Sequence, residues 1–450
     1  MAVVTIEVPA LGNRSHLVHD GRRAVAIDPP RDAAPLEHAA EDAGVDIVAV
    51  ADTHVHNDYV SGGLALARRH GADYLLSADE PVSFERVGVR GGEVLSYGDL
   101  ELEVLATPGH TRHHQSFLVR SPSQPAALFS GGSLLLGTVG RTDLVDPRLA
   151  LHLAGAQWDS ARTLASLDPS TLLLPTHGFG SFCAGASVPV AQDAGPATLG
   201  DQLDVNPALQ SDRAGFSAEL VAGFGPIPAY YPHMDPINRT DPGTPRPAHP
   251  VTAREVAAAV AAGRWVVDLR DRATHAEGHP RGAVGIEYSD QFATYVGWLV
   301  PWGAELILLA DSPSAFAPAA RDLAGIGIEG VGAHVLDTTA HLEARFRRAD
   351  WSAYRDASAR TADGPVVVDV RQDDEWAAGH LLSAVHLPVQ DVERGAPQLP
   401  DGELWVHCKS GYRAGIAASL LHRLGRDVVH VDDTWDRVDE LSIQTTPEAA

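Results

Sequence analysis

The sequence HCKSGYRAGIAASLLHRLG at 407–425 places Cys408 in a tight loop directly before a predicted helix that ends in glycine. The preceding run ELWV at 403–406 predicts a short buried strand. Amide groups at a helix N-terminus favour bound anions and the thiolate form of a cysteine. Arg413 and Lys409, the only lysine of the chain, add positive charge beside it. The pattern therefore predicts a reactive cysteine, the alternative being an inert buried thiol.

A second pattern lies upstream, at 365–388, in PVVVDVRQDDEWAAGHLLSAVHLP. It predicts a strand that ends at Asp369, an acidic helix start and a Gly-His turn. Together with the cysteine loop, this pattern resembles a rhodanese (sulfurtransferase) domain. The resemblance implies that Cys408 carries a persulfide held by the loop amides and by Arg413. It also implies small sulfur compounds such as thiosulfate or sulfite as partners.

The same pattern occurs earlier, at 251–286, where WVVDLR corresponds to VVVDVR and EGHPRGAVGI corresponds to AGHLLSAVHL. This first copy has about Asp311 where the second copy has Cys408. We therefore expect an inactive rhodanese-like domain at 251–345 and a rhodanese domain with Cys408 at 346–450. The alternative is that this first copy carries out a different chemistry.

Length and composition set limits on the function. A chain of 450 residues is too long for one hydrophobic core, and 44% hydrophobic residues indicate a globular protein. The net charge of −25 argues against nucleic acid or an anionic membrane as a partner. The lack of a long apolar run and the presence of only two cysteines favour a cytoplasmic location. Whether the protein forms a homo-oligomer stays open.

Histidines in the first half of the chain follow predicted apolar strands in three separate loops. The loops are THVHND at 53–58, TPGHT at 107–111 and PTHG at 175–178. Imidazole and carboxylate groups gathered at one edge of a β-sandwich can bind a metal ion. The candidate ligands are His54, His56, Asp58, His110 and His177.

In this order, and with FSGGSLLLGTVGRTDL at 129–144, the motifs resemble the metallo-β-lactamase superfamily over residues 1–225. Within it they are similar to the persulfide dioxygenase branch near glyoxalase II, and the two following repeats resemble persulfide dioxygenase–rhodanese fusions. The resemblance implies an α/β multidomain chain, with an αββα sandwich followed by two α/β rhodanese-like domains. It also implies a mononuclear iron held by two histidines, which carry over onto His54 and His110, and by an aspartate. Arg141 and Asp143 of the GRTD turn are expected to brace the site by an ion pair.

Two positions depart from the pattern of that family. Tyr59 replaces the last histidine of THxHxDH, and Gly132 replaces the aspartate of F-[TS]-G-D. Both changes remove ligands of a two-metal centre, which disfavours a hydrolase of thioesters or lactones. Gly132 also removes the carboxylate of the iron triad and is expected to leave an empty volume there. We expect a three-histidine site of His54, His56 and His110. Asp58 or His177 is then either a further ligand or a group that orients a ligand. The alternative is a decayed site that binds no metal.

The leading interpretation is oxidation of a persulfide to sulfite at a mononuclear metal, coupled to sulfur transfer through a Cys408 persulfide. Iron is the expected metal, and zinc is the alternative. The rival interpretation is a sulfurtransferase whose first domain is a non-catalytic or weakly metal-binding module; a metallo-hydrolase is the weaker alternative.

Cys183 is either a core residue or a second thiol in a sulfur relay near the metal. The adjacent His113 and His114 are expected at the rim or in packing. The proline-rich segment 226–250 predicts an extended linker.

Overall fold

The computed structural model of the protein describes residues 1–122, 124–178, 181–185, 197–337, 342–360 and 365–446. The chain divides into two compact units. Unit 1 comprises Met1–Pro245 and Arg321–Gly327, and unit 2 comprises Arg246–Ala320 and Ile328–Ala450. Among the described residues, no helix combines the length and the apolar character needed to cross a membrane.

Unit 1 contains two β-sheets, each with helices on its outer face. The first sheet has six strands in chain order: β1 (Ala2–Val8), β2 (Asn13–His19), β3 (Arg23–Ile27), β4 (Asp46–Ala51), β5 (Asp73–Ser77) and β6 (Val87–Val89). Two helices pack on it, α1 (Ala34–Ala43) and α2 (Gly63–His70).

The second sheet of unit 1 has five strands: β7 (Val94–Tyr97), β8 (Leu100–Ala106), β9 (Gln115–Ser121), β10 (Gln124–Gly131) and β11 (Leu172–Pro175). Their spatial order is β11-β10-β9-β8-β7. Three helices cover its outer face, namely α3 (Ala150–Ala165), α4 (Pro207–Gln210) and α5 (Arg213–Ala222). A further helix, α6 (Tyr231–Asn238), follows them in the chain.

The two sheets of unit 1 share one apolar core. Val18 and Val25 of the first sheet and Phe117 of the second lie in it, each 0% exposed. Because successive side chains of a strand point to opposite faces, Leu17 and Ala26 pack instead with α1 and α2. The predicted αββα sandwich is therefore confirmed for the first part of the chain.

Unit 2 contains two parallel five-stranded sheets. The first is built from β12 (His249–Pro250), β13 (Trp265–Asp268), β14 (Val284–Gly285), β15 (Leu306–Ala310) and β16 (Gly332–Val335). Its order is β12-β16-β15-β13-β14. The helices that follow its strands in the chain are α7 (Ala253–Ala261), α8 (Arg272–Glu277), α9 (Phe292–Leu299) and α10 (Phe316–Gly325).

The second sheet of unit 2 is built from β17 (Arg347–Ala349), β18 (Val366–Asp369), β19 (Ala384–His386), β20 (Leu404–His407) and β21 (Val428–Val431). Its order β17-β21-β20-β18-β19 repeats the order of the first sheet, as the internal sequence repeat predicts. The helices that follow its strands are α11 (Trp351–Ser358), α12 (Asp373–Ala377), α13 (Val392–Gly395), α14 (Tyr412–Arg423) and α15 (Arg437–Glu440).

The strand register corrects one detail of the repeat. Asp268 pairs with Leu309 in the first copy, and Asp369 pairs with His407 in the second. Ala310, rather than Asp311, therefore occupies the position that corresponds to Cys408. The first copy lacks a thiol at this position in either alignment, so the conclusion about its chemistry is unchanged.

The structure also corrects the expectation of an extended linker at 226–250. Helix α6 forms inside this segment, with a proline in its first turn, where the missing N–H would have no partner. Tyr231, Met234 and Asn238 of this helix are buried. Their burial offsets the destabilising effect of Pro236 inside the helix, so tertiary packing overrides the local proline signal.

Candidate metal centre and cysteine loop

All five candidate metal ligands lie close together in unit 1. The ring centroid of His110 is 4.8 Å from that of His54 and 5.1 Å from that of His177, and the centroids of His54 and His56 are 4.2 Å apart. All five side chains are buried. Each has one polar atom without a hydrogen-bond partner among the described residues: His54 Nε2, His56 Nδ1, Asp58 Oδ1, His110 Nε2 and His177 Nε2. Unpaired buried polar atoms are costly, and a bound metal ion would give partners to the atoms that coordinate it.

Hydrogen bonds at the opposite ring nitrogen orient three of the histidines. His110 Nδ1 donates to the carbonyl of Arg141 at 2.7 Å, which leaves Nε2 with its lone pair. His54 Nδ1 lies 2.9 Å from Thr53 Oγ1, whose own proton goes to Asp28. His177 Nδ1 lies 3.0 Å from an amide oxygen, that of Asn13. In each case the nitrogen that faces the neighbouring histidines is the one free to bind a metal.

The protonation state of these rings also fits metal binding. Burial lowers the pKa of His110 and of His177 to about 3. Burial and the neighbouring histidines hold the pKa of His54 well below its usual value. The three imidazoles are therefore neutral at pH 7, which is the form that coordinates a metal.

The ligand atoms fall into three groups, with the atoms of each group within 4.8 Å of one another. His54, His110 and His177 form the first group, and His56, Asp58 and His177 form the second. The third group is Asp28, Asp52 and His56, whose two aspartates were not among the candidate ligands. Because Nδ1 of His177 is already bonded, only its Nε2 can bind a metal, so the first two groups cannot each hold an ion at the same time.

This arrangement differs from the expected set of His54, His56 and His110. The Nε2 of His56 lies 3.2 Å from Asp28 Oδ1 and 2.9 Å from the Tyr59 hydroxyl. His56 groups with Asp58 and His177 instead, and its Nδ1 has no hydrogen-bond partner among the described residues. Although burial would lower it, the Asp28 carboxylate raises the pKa of His56. The Tyr59 hydroxyl therefore contacts the nitrogen of His56 that also lies beside Asp28 and Asp52.

Gly132 does not border an empty volume, contrary to the expectation from the sequence. A Cβ atom at this position would lie 2.3 Å from Cδ2 of the His110 ring. The backbone N–H of Gly132 donates to His114 Nε2 at 3.0 Å. His114 is buried and stacks on His54 at 4.9 Å, so it is part of the site rather than its rim. The ring of His110 thus occupies the space in which a side chain at 132 would begin.

Three amide side chains, none of which belongs to a recognised motif, hold the ligand loops. Gln157 accepts from the N–H of His110 at 2.6 Å and donates to the carbonyl of Gly132 at 3.1 Å. Asn238 donates to the carbonyl groups of His56 and Tyr59 at 2.9 and 2.7 Å. The third is Asn13. Gln157 lies in α3 among several other polar residues, so the sequence held no signal that singled it out.

The GRTD turn lies beside the ligands. Arg141 donates to both oxygens of Asp143, at 2.7 and 2.8 Å. The same residue accepts from His110 through its carbonyl group. The ion pair therefore holds the backbone that orients one candidate ligand.

Cys183 is 0% exposed and lies beside the Asp58 carboxylate and the Tyr231 hydroxyl. Burial raises the pKa of its thiol well above the usual value. It is near the site, as the sulfur-relay alternative requires. However, it stays protonated at neutral pH, which favours the interpretation as a core residue.

In unit 2, Cys408 lies between β20 and α14. Its Sγ accepts the N–H of Ala414 at 3.4 Å, in the first turn of the helix. Gly411 has φ +85°, and a Cβ there would lie 2.4 Å from Asp432 Oδ1, so the loop requires glycine. This geometry presents helix amides to the sulfur of Cys408.

The two basic residues of the loop differ in their surroundings. Arg413 forms a double ion pair with Glu375, at 2.5 and 2.8 Å, and lies close enough to Cys408 and Tyr295 for electrostatic interaction. Lys409 is exposed. Arg413 is therefore a fixed charge beside the sulfur, and Lys409 lies at the solvent side of the loop.

Comparison with known proteins agrees with both halves of this description. The family model "Rhodanese-like domain" matches residues 354–440. A hydroxyacylglutathione hydrolase from Acidiphilium cryptum is 31% identical over 239 residues, 48% of this chain and 93% of that protein. A metallo-β-lactamase structure from Staphylococcus aureus subsp. aureus COL is 25% identical, with a TM-score of 0.63, and the match covers 74% of this chain and 98% of that one. For ETHE1 from Myxococcus xanthus the identity is 27%, the TM-score 0.45, and the coverage 53% and 98%. The chain belongs to the metallo-β-lactamase-fold family that includes the hydroxyacylglutathione hydrolases, and it carries a rhodanese-like domain in its C-terminal part.

Proposed function

We propose that this protein oxidises a low-molecular-weight persulfide to sulfite at a single metal ion in unit 1 and transfers sulfane sulfur through a persulfide on Cys408. The observation that carries the proposal is the presence of two sites in one chain. One is a cluster of five ligand atoms that have no hydrogen-bond partner among the described residues, and the other is a cysteine at a helix start in a rhodanese-like domain. Both sites suit small sulfur compounds.

Cys408 is the residue that forms a covalent bond in the sulfur-transfer step. Its thiolate attacks the outer sulfur of thiosulfate, the S–S bond of thiosulfate breaks, and sulfite leaves with the bonding electron pair. The products are the Cys408 persulfide and sulfite, so charge and atoms balance in Cys-S⁻ + S₂O₃²⁻ → Cys-S-S⁻ + SO₃²⁻. The N–H of Ala414 and the start of α14 stabilise the negative sulfur, and Arg413, oriented by Glu375, adds charge.

The oxidation requires O₂ and water, and its balance is RSSH + O₂ + H₂O → RSH + SO₃²⁻ + 2H⁺. His177 would hold the ion together with either His54 and His110 or His56 and Asp58. A bound iron would supply the redox chemistry that O₂ demands, which redox-inert zinc would not. The chain itself contributes a buried site, neutral imidazoles and fixed ring orientations.

Thioester hydrolysis is the second candidate, favoured by the identity to a protein named hydroxyacylglutathione hydrolase. The site argues against a two-metal version of it. The two groups that contain His177 need the same nitrogen of that residue, and Gly132 carries no carboxylate that could bridge two metal ions. Iron and persulfide chemistry therefore fit the chain better than two-metal hydrolysis.

Two variants separate the proposed activities. Cys408→Ser should abolish thiosulfate:cyanide sulfur transfer and leave persulfide-dependent O₂ uptake of the iron-loaded protein intact. His177→Ala should abolish the O₂ uptake and leave the sulfur transfer intact, because His177 belongs to both candidate groups of the proposal. Metal content by mass spectrometry accompanies both assays. Sulfur transfer in a wild-type protein that takes up iron but consumes no O₂ would contradict the proposal, and would favour a sulfurtransferase with a non-catalytic first domain.

A further inference from the structure

We infer that Asn13 is a positioning residue of the metal centre, which fixes both the tautomer of His177 and the free oxygen of Asp58. This inference rests on the metal site of the proposed function and assigns to Asn13 the orientation of two of its ligands. Asn13 is the first residue of β2 and is 5% exposed. Its Nδ2 lies 2.6 Å from Asp58 Oδ2, and its Oδ1 lies 3.0 Å from His177 Nδ1.

The chemistry of the partners determines which way the amide points. An ionised carboxylate, the form that binds a metal, only accepts hydrogen bonds, so the NH₂ group of Asn13 must face Asp58. The amide oxygen then faces His177 and requires a proton on its Nδ1. Nε2 of His177 is left with a lone pair, and Oδ1 of Asp58 is left without a partner among the described residues. The amide of Asn13 therefore leaves two of the five ligand atoms, His177 Nε2 and Asp58 Oδ1, available to bind a metal.

Backbone pairing keeps this amide in place. The N–H of Arg14 donates to the carbonyl of Thr176 at 2.7 Å, and the N–H of Gly178 donates to the carbonyl of Gly12 at 2.9 Å. Asn13 and His177 form an antiparallel bridge. The start of β2 is thus tied to the His177 loop on both sides of the side-chain contact, so the amide cannot move away from the ring independently.

The test uses Asn13→Ala and Asn13→Asp, with Ser15→Ala as a matched control. Ser15 lies on the same strand, is 0% exposed and donates to the carbonyl of Ile27, away from the ligands. The first readout is the ¹⁵N chemical shift of the His177 ring in metal-free full-length protein. The Nδ1–H form is expected in wild type, in Ser15→Ala and in Asn13→Asp, whose carboxylate still accepts from Nδ1. In Asn13→Ala, Asp58 Oδ2 still lies 3.5 Å from Nδ1 of His177, too far for a strong hydrogen bond, so a mixture of tautomers is expected.

The second readout is the affinity for Co²⁺, measured by competition with a chelator. Asn13→Ala should bind Co²⁺ about 10–100-fold more weakly than wild type, while Ser15→Ala should bind it equally well. Asn13→Leu, of nearly the same size as asparagine, replaces Asn13→Ala if that variant does not fold.

Two outcomes are decisive and distinct. Wild-type tautomer and Co²⁺ affinity in Asn13→Ala or Asn13→Leu would overturn the role of Asn13. A wild-type protein that binds no Co²⁺ would contradict the metal site of the proposed function, and the tautomer comparison on metal-free protein would still decide the role of Asn13.

Discussion

The structure decides between two outcomes that the sequence leaves open for Gly132→Asp. Either this change completes two histidines and a carboxylate and strengthens iron binding, which the sequence favours, or it crowds a site that is already formed. In the structure, a Cβ at 132 would lie 2.3, 2.7 and 2.8 Å from Cδ2, Cγ and Nε2 of the His110 ring. The ring has little room to retreat, because its Nδ1 is bonded to Arg141 and its backbone N–H is bonded to Gln157. Gly132→Asp should therefore weaken metal binding.

The size of the effect follows from overpacking. Adding atoms to a filled interior costs about 1–3 kcal/mol. For a unit of this size, each kcal/mol lowers the melting temperature by roughly 2–4 °C. Displacement of His110 should also weaken Co²⁺ binding by an order of magnitude or more, since even groups that only orient a ligand are worth ~10–100-fold.

The assays are calorimetric melting and Co²⁺ competition on wild type, Gly132→Asp and the control Gly132→Ala. The control adds the same Cβ without a carboxylate, so both variants should lose stability. In a double-mutant cycle, His110→Ala should make Gly132→Asp less destabilising, because the clashing ring is gone. Unchanged stability and equal or tighter metal binding in Gly132→Asp would refute the reasoning.

Three further predictions concern other parts of the chain. Cys408→Ser should abolish thiosulfate:cyanide sulfur transfer and Cys183→Ser should retain it. Both thiols are buried, but the pKa of Cys183 is raised, whereas Cys408 accepts the N–H of Ala414 at a helix start; activity in Cys408→Ser would be contrary to this. Asn238→Ala should lower the free energy of unfolding, measured in urea, by at least about 2 kcal/mol. The reason is that three buried backbone groups each lose a hydrogen-bond partner, at a cost of ~1–3 kcal/mol per group. A decrease below about 0.5 kcal/mol would disagree with this prediction. Burial lowers the pKa of His407 and His430 to about 4, below the unfolded value near 6.5. The unfolded state therefore binds more protons below pH 6.5. Each of the two histidines contributes about 2 kcal/mol over this range, so stability should fall by roughly 4 kcal/mol between pH 7.5 and 5, and equal urea midpoints would contradict this.

The sequence was sufficient to predict features that depend on local patterns. The order of the strand–histidine motifs carried the family resemblance that implied the sandwich, and it predicted that the loops of His54, His110 and His177 lie together. The repeat of VVVDVR-like strands predicted two sheets of equal order. The Cys408 loop was predictable because strand, glycine turn and helix are consecutive. In each case a short stretch of chain carries the pattern that predicts the element.

Features that depend on long-range packing were not predictable. Asn13 lies 45 residues from Asp58 and 164 residues from His177, so no spacing rule connects them. The substitution at Gly132 showed which ligand is lost but could not show that a ring fills the space. The prolines of 226–250 predicted extended chain, whereas burial of one face stabilises helix α6.

Persulfide-dependent O₂ consumption by the iron-loaded wild-type protein, with sulfite determined in the same sample, tests the central claim most directly. We expect O₂ uptake that depends on glutathione persulfide, one sulfite formed for each O₂ consumed, and loss of both in His177→Ala, which removes the ligand common to both groups of the proposal. A fully iron-loaded wild-type protein that consumes no O₂ with persulfide, while Cys408 still transfers sulfur, would contradict the claim.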